Sequence, residues 1–127
     1  MSQTSQVTFD SLTAIADRLN LTENEKSLVT RLVLLNPDLL KAQYPNSQAL
    51  ASQAKELSEN GNSAVSTNRY VSAARLALYE GDAALAQKYL ESAASVEKDS
   101  WYAVGPESFS RVSNCVLEYY KSKTALA

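Results

Sequence analysis

At 127 residues, with 45% hydrophobic and 20% charged side chains, the chain has the make-up of one globular domain and not of a disordered segment. Three glycines and three prolines are too few for the many turns of an all-β fold, which leaves an all-α fold as the expectation. A formal net charge of −2 and the lack of any histidine remove imidazole catalysis and histidine-held metals.

The first seven or so residues are polar and are expected to be loose. Thr8 or Asp10 is placed to cap a first helix whose stripe is Phe9, Leu12, Ile15, Ala16 and Leu19. Thr22 and Glu25 have the spacing of a capping box and open a second helix over 22–35. Its Leu28, Val29, Leu32, Val33, Leu34 and Leu35 cover most of the circumference, which predicts that this helix lies in the middle of the bundle. Asn36-Pro37-Asp38 stops and restarts the chain into a short helix ending at Tyr44, and Pro45 breaks it again. Ser47 is then expected to cap a helix to about Glu59, with a thin stripe of Leu50, Ala54 and Leu57 that places it at the periphery. Gly61 suits the left-handed position after it. A fifth helix is predicted over 66–80, a sixth from Asp82 to about Val96, and a last one from Pro106, with a tail from Lys123 that frays. "KDSWYAVGPES" between the last two reads as a loop, with one turn over 100–103.

The segment "ALYEGDAALAQKYLESAA", residues 77–94, is the most sharply patterned. Alanines recur at helical spacing on both sides of Gly81-Asp82, so two backbones can approach closely while glycine ends one helix and aspartate caps the next. Tyr70, Ala74, Gly81-Asp82, Ala86, Leu90 and Ala93 make residues 70–98 resemble a single tetratricopeptide-type repeat. Ala73 and Ala77 are smaller than that pattern asks, Lys98 replaces its usual proline, and no second copy is visible. The resemblance implies a helical hairpin of the kind that binds other proteins. Close packing alone would select the same residues, and one unit cannot build the groove of a repeat array.

Little in the sequence points to chemistry. Gly61, Gly81 and Gly105 stand alone, so there is no phosphate-cradling loop. "SVEK", Ser95 to Lys98, matches the Ser-x-x-Lys spacing of acyl-transferring serine enzymes, but the Ser-Asp-Asn element is missing and the chain is too short for that fold. Asn20-Leu21-Thr22 fits a glycosylation acceptor, yet Thr22 is better used as a cap. The carboxylates sit as helix caps and surface charges. Cys115, the lone cysteine, lies on the stripe of Val112 and Val116 and reads as a small buried hydrophobe, not a reactive thiol. No cofactor, no metal site and no enzymatic activity are expected. The N-terminus lacks the features of a signal peptide, and no apolar run approaches the roughly 20 residues that span a bilayer, so a cytoplasmic protein without membrane partners is expected.

The aromatic residues carry the functional reading. Six of the seven tyrosines and the tryptophan follow residue 69. Tyr70, Tyr89 and Tyr119 belong to helix stripes, whereas Tyr79, Trp101, Tyr102 and Tyr120 are less obviously internal. Tyrosine and tryptophan bury large area while keeping a polar handle, as interface anchors do. Arg75 stands four residues before Tyr79, within reach of a cation–π contact or a shared binding edge. Trp101 and Tyr102 either fold their loop onto the bundle or anchor a partner. The candidate partner-binding residues are therefore Arg75, Tyr79, Trp101, Tyr102 and Tyr120, on a small adaptor or structural subunit that binds a protein or itself. The alternative is an accessory subunit contacting nucleic acid within a larger complex. Residues 62–127 hold seven basic and seven acidic side chains, so no basic arm favours it.

Overall fold

A computed structural model describes residues 12–34, 37–97 and 106–126, and every regular element among them is a helix. Seven helices follow one another: α1 (12–18), α2 (Glu23–Leu34), α3 (Pro37–Gln43), α4 (Ser47–Glu59), α5 (Ser63–Tyr79), α6 (Ala83–Val96) and α7 (Pro106–Leu126). The all-α bundle expected from composition is what the chain forms. The proposed caps Thr8 and Asp10, and the loop with Trp101 and Tyr102, lie outside the described residues.

One turn design recurs three times. Asn20, Gly61 and Gly81 each adopt a left-handed conformation after a helix, with φ of 58°, 81° and 87°. The next backbone N–H then reaches five residues back, Leu21 to Ala16 at 3.1 Å, Asn62 to Leu57 at 2.9 Å and Asp82 to Ala77 at 2.9 Å. These bonds satisfy carbonyls that a helix end would leave open. Of the helices that follow these turns, α2 and α6 start on side-chain caps, while Asn62 makes no such bond at the start of α5. The Thr22 N–H donates to Glu25 Oε1 at 2.8 Å, and the Glu25 N–H donates to Thr22 Oγ1 at 3.2 Å, completing the capping box. Asp82 accepts from the Leu85 N–H at 3.0 Å. At α4 the cap is Asn46, which accepts from the Ala49 N–H at 3.0 Å. Ser47, expected in that role, is instead the first helical residue and is buried.

The helix in the middle is α5, not α2. It lies between α4 and α6 and also touches α2, α3 and α7. Its buried residues are Val71, Ala73, Ala74, Leu76, Ala77 and Leu78, together with Ser66, Thr67 and Ser72. Small side chains let neighbours approach from several directions, which a ring of leucines on α2 does not. Only one side of α2 is covered, through Leu28, Val29 and Leu32, while Leu34 is 71% exposed. Helix α5 also begins one turn earlier than its apolar stripe suggests, at Ser63, so that Ser66 falls inside it. The buried Ser66 hydroxyl donates to the Ala54 carbonyl at 2.6 Å and ties α5 to α4.

Helix α7 closes the bundle against α2 and α6. Its Arg111 donates to the Leu19 carbonyl at 3.1 Å and to the Asn20 carbonyl, finishing the end of α1. The same guanidinium stands 3.6 Å from Glu25, the buried acid of the α2 capping box. Burial works to raise the Glu25 pKa, but the Thr22 N–H, the Ser108 hydroxyl and Arg111 outweigh it and hold the carboxyl below its ordinary value. A second ion pair joins Arg18 of α1 to Glu118 of α7. The backbone of α7 stays helical to Leu126, past Lys123 where a frayed tail was expected.

Candidate interaction site

Three of the five residues singled out in the sequence come together at one end of the bundle. Arg75 and Tyr79 are one turn apart on the last turns of α5, and Tyr120 comes from α7. Arg75 Nη2 donates to the Arg31 carbonyl at 2.8 Å, on the last turn of α2, and Nη1 donates to Ser72 Oγ at 3.4 Å. A cation bonded to a C-terminal carbonyl complements the negative end of that helix. The Tyr79 hydroxyl donates to Asp38 Oδ1 at 2.6 Å, in the first turn of α3. Tyr79 meets Tyr120 edge to face, with centroids 6.1 Å apart and planes at 87°, and Tyr119 lies 5.9 Å from Tyr120 at 40°. Edge-to-face geometry is the favoured arrangement of two aromatic quadrupoles.

Electrostatics keep these phenols protonated. Burial pushes Tyr120 up to about 12, against the opposing charge of Arg75. Tyr79 is raised by its hydrogen bond to the Asp38 carboxylate and by the charge of that group. Both phenols are therefore neutral at ordinary pH, with the Tyr79 hydroxyl held by Asp38 and the Tyr120 hydroxyl enclosed within the bundle.

Exposed apolar side chains stand on the helices that meet here. Tyr79 is 43% exposed, Leu39, next to Asp38, is 56% exposed, and Leu34 ends the helix that Arg75 caps. Sequence reading missed Asp38, Leu34 and Leu39. Leu34 was expected inside because α2 was expected in the middle, and no local signal ties Asp38 to Tyr79 across 41 positions. Tyr120 was grouped with the exposed-looking aromatics, but its ring is largely covered.

Other groups with chemical potential are occupied structurally. Cys115 is fully buried, and burial pushes its thiol up to about 11, the setting of an inert core cysteine. Among the described residues, no three His, Cys, Asp or Glu gather to hold a metal, and no helix is long and apolar enough to cross a membrane. In comparisons with known families, with curated proteins and with solved structures, nothing matches this chain.

Proposed function

We propose that this chain is a non-catalytic protein–protein interaction or assembly module, a small adaptor or structural subunit that binds a protein partner or a second copy of itself. The observation that carries the reading is that exposed Leu34 and Leu39 and half-exposed Tyr79 all stand on helices joined by the Arg75–Arg31 and Tyr79–Asp38 bonds. Exposed large apolar side chains rimmed by polar groups mark interaction surfaces on small domains. Tyrosine and arginine held in fixed rotamers lose little further freedom on binding, which suits them as anchors. The resemblance of residues 70–98 to a tetratricopeptide-type hairpin supports the same reading.

The test compares the wild-type chain with the Leu34→Asp/Leu39→Asp variant as bait in extracts of the source cells, with light scattering of both across a concentration series. Either a protein retained only by the wild type, or a concentration-dependent rise in mass that the variant lacks, agrees with the reading. Identical retention and a constant monomer mass for both proteins would remove it. Both leucines are exposed, so the helical content of the variant should match the wild type.

A further inference from the structure

The turn between α4 and α5 carries a pair of residues with chemistry of its own. Asparagine is chemically labile where the next peptide nitrogen can reach its side-chain carbonyl carbon, and a following glycine has no Cβ to obstruct that approach. Of the eight asparagines, only Asn60 is followed by glycine. Six others precede residues with a side chain, and Asn36 precedes Pro37, which has no N–H to lose. Both Asn60 and Gly61 are exposed to water, and a Cβ added at Gly61 would meet no atom within 4 Å.

The folded turn holds this pair out of reaction. Asn60 is the C-cap of α4, at φ −91° and ψ 9°, and Gly61 follows in the left-handed region at φ 81°. At that ψ the Gly61 nitrogen nearly eclipses the Asn60 nitrogen and is turned away from Asn60 Cβ. A succinimide ring cannot close without a large rotation about the Asn60 Cα–C bond. The nitrogen is engaged as well. Its N–H donates to the Ser58 carbonyl at 3.1 Å, and the next N–H, of Asn62, donates to the Leu57 carbonyl at 2.9 Å. Amide resonance makes the nitrogen a poor nucleophile until it loses its proton, and a bonded proton exchanges only when the turn opens. The rotation that closes the ring also pulls Gly61 and Asn62 off these acceptors.

We propose that Asn60–Gly61 is a self-modifying site. Opening of the α4–α5 turn lets the Gly61 nitrogen attack the Asn60 side chain, and the isoaspartate that results prevents the turn from re-forming its Leu57–Asn62 bond. Hydroxide takes the Gly61 proton, the nitrogen bonds to Asn60 Cγ, and the bond from Cγ to the side-chain nitrogen breaks, releasing ammonia. Water then opens the ring. Attack at Cγ restores the original peptide bond and leaves aspartate. Attack at the backbone carbonyl routes the chain through Cγ and leaves isoaspartate, which lengthens the backbone between Leu57 and Asn62 by one methylene. Both products add a carboxylate at the negative end of α4, next in the chain to Glu59, in a last turn that holds no basic residue. The inference rests on this turn and does not depend on the Tyr79 cluster.

The test follows the replacement of NH by O at each asparagine, by peptide mapping and mass spectrometry, in mildly alkaline buffer. Three samples are compared: the folded chain, the same chain unfolded in urea, and a free peptide of residues 56–65. In the unfolded chain Asn60 is expected to convert first of the eight asparagines, at the rate of the peptide, and to give both aspartate and isoaspartate. In the folded chain the same position should convert roughly tenfold or more slowly, because only the opened turn reacts. The isoaspartyl chain, separated from the unmodified one, should lose protection of the Asn62 amide against hydrogen exchange. Asn60→Asp should keep that protection, since it adds the charge without lengthening the backbone. Equal rates in the folded and unfolded chains, faster conversion at another asparagine of the unfolded chain, or undiminished protection of Asn62 in the isoaspartyl chain overturns the proposal.

Discussion

Helices α4, α5 and α6 are consecutive, and each meets the next across a three-residue turn, whereas α1 and α7 meet through bonds spanning 91 to 100 residues of chain. The first region is held by small residues and turn geometry: Ala54, Ala74, Ala77, Ala86 and Ala93 are all fully buried. The second shares the apolar core through Leu12, Ile15, Ala16, Phe109 and Val112 and adds a charged clasp, with Arg111 bridging the end of α1 and the start of α2, and Arg18 paired to Glu118. Local packing of this kind survives changes of pH and salt, whereas a charged clasp does not. One chain thus combines a core insensitive to its medium with a side that responds to it.

The comparison can be broken from either side, and the largest effect should come from the packed region. Leu76→Ala removes a fully buried side chain from the central helix and should cost roughly 2–5 kcal/mol in urea unfolding. That loss should be the same at pH 7 and pH 4. Next comes Glu25→Gln, which keeps the shape of the capping box but removes the charge facing Arg111, at about 1–2 kcal/mol near neutral pH. Because folding lowers the Glu25 pKa, its charged form stabilises the fold above the ordinary value of 4.5, and that contribution disappears as pH falls through the lower folded value. The cost of Glu25→Gln should therefore shrink towards zero in acid, which unfolding curves at several pH values would show. A cost independent of pH would place the role of Glu25 in shape alone.

Smaller effects sharpen the same contrast. Gly81→Ala meets no atom within 4 Å, so its cost comes only from the left-handed backbone, at about 1 kcal/mol. Asn20→Gly, at the matching turn of α1, should be neutral or slightly stabilising by the same reasoning. Least of all, Glu118→Gln should cost under about 1 kcal/mol and lose even that in high salt, since both partners of the pair are exposed to water. A large, salt-independent loss there would mean that the clasp is more than a surface pair.

What was legible in the sequence follows the same division. The Thr22/Glu25 box and the Gly81-Asp82 turn are local signals, and both are formed as their spacing implies. The central position of α5 was not legible, because a helix rich in Ala and Ser lacks a strong apolar stripe while its small residues are what admit several neighbours. Leucine-rich α2 misled for the opposite reason, since a ring of large residues does not show which side will be covered. In the candidate site, Arg75, Tyr79 and Tyr120 were legible as residue types suited to contact. Their junction through Asp38 and the Arg31 carbonyl depends on how α2, α3, α5 and α7 are brought together, which no spacing records.

The most direct measurement of the interaction reading places a photo-crosslinking amino acid at Leu39, next in the chain to the Asp38 that bonds Tyr79, and at exposed Asn68 of α5, in otherwise identical chains in the source cells. A discrete crosslinked protein or a dimer at Leu39, missing at Asn68 and abolished by Leu34→Asp, is the predicted result. Equal or absent crosslinking at the two positions, with both chains folded, would contradict it.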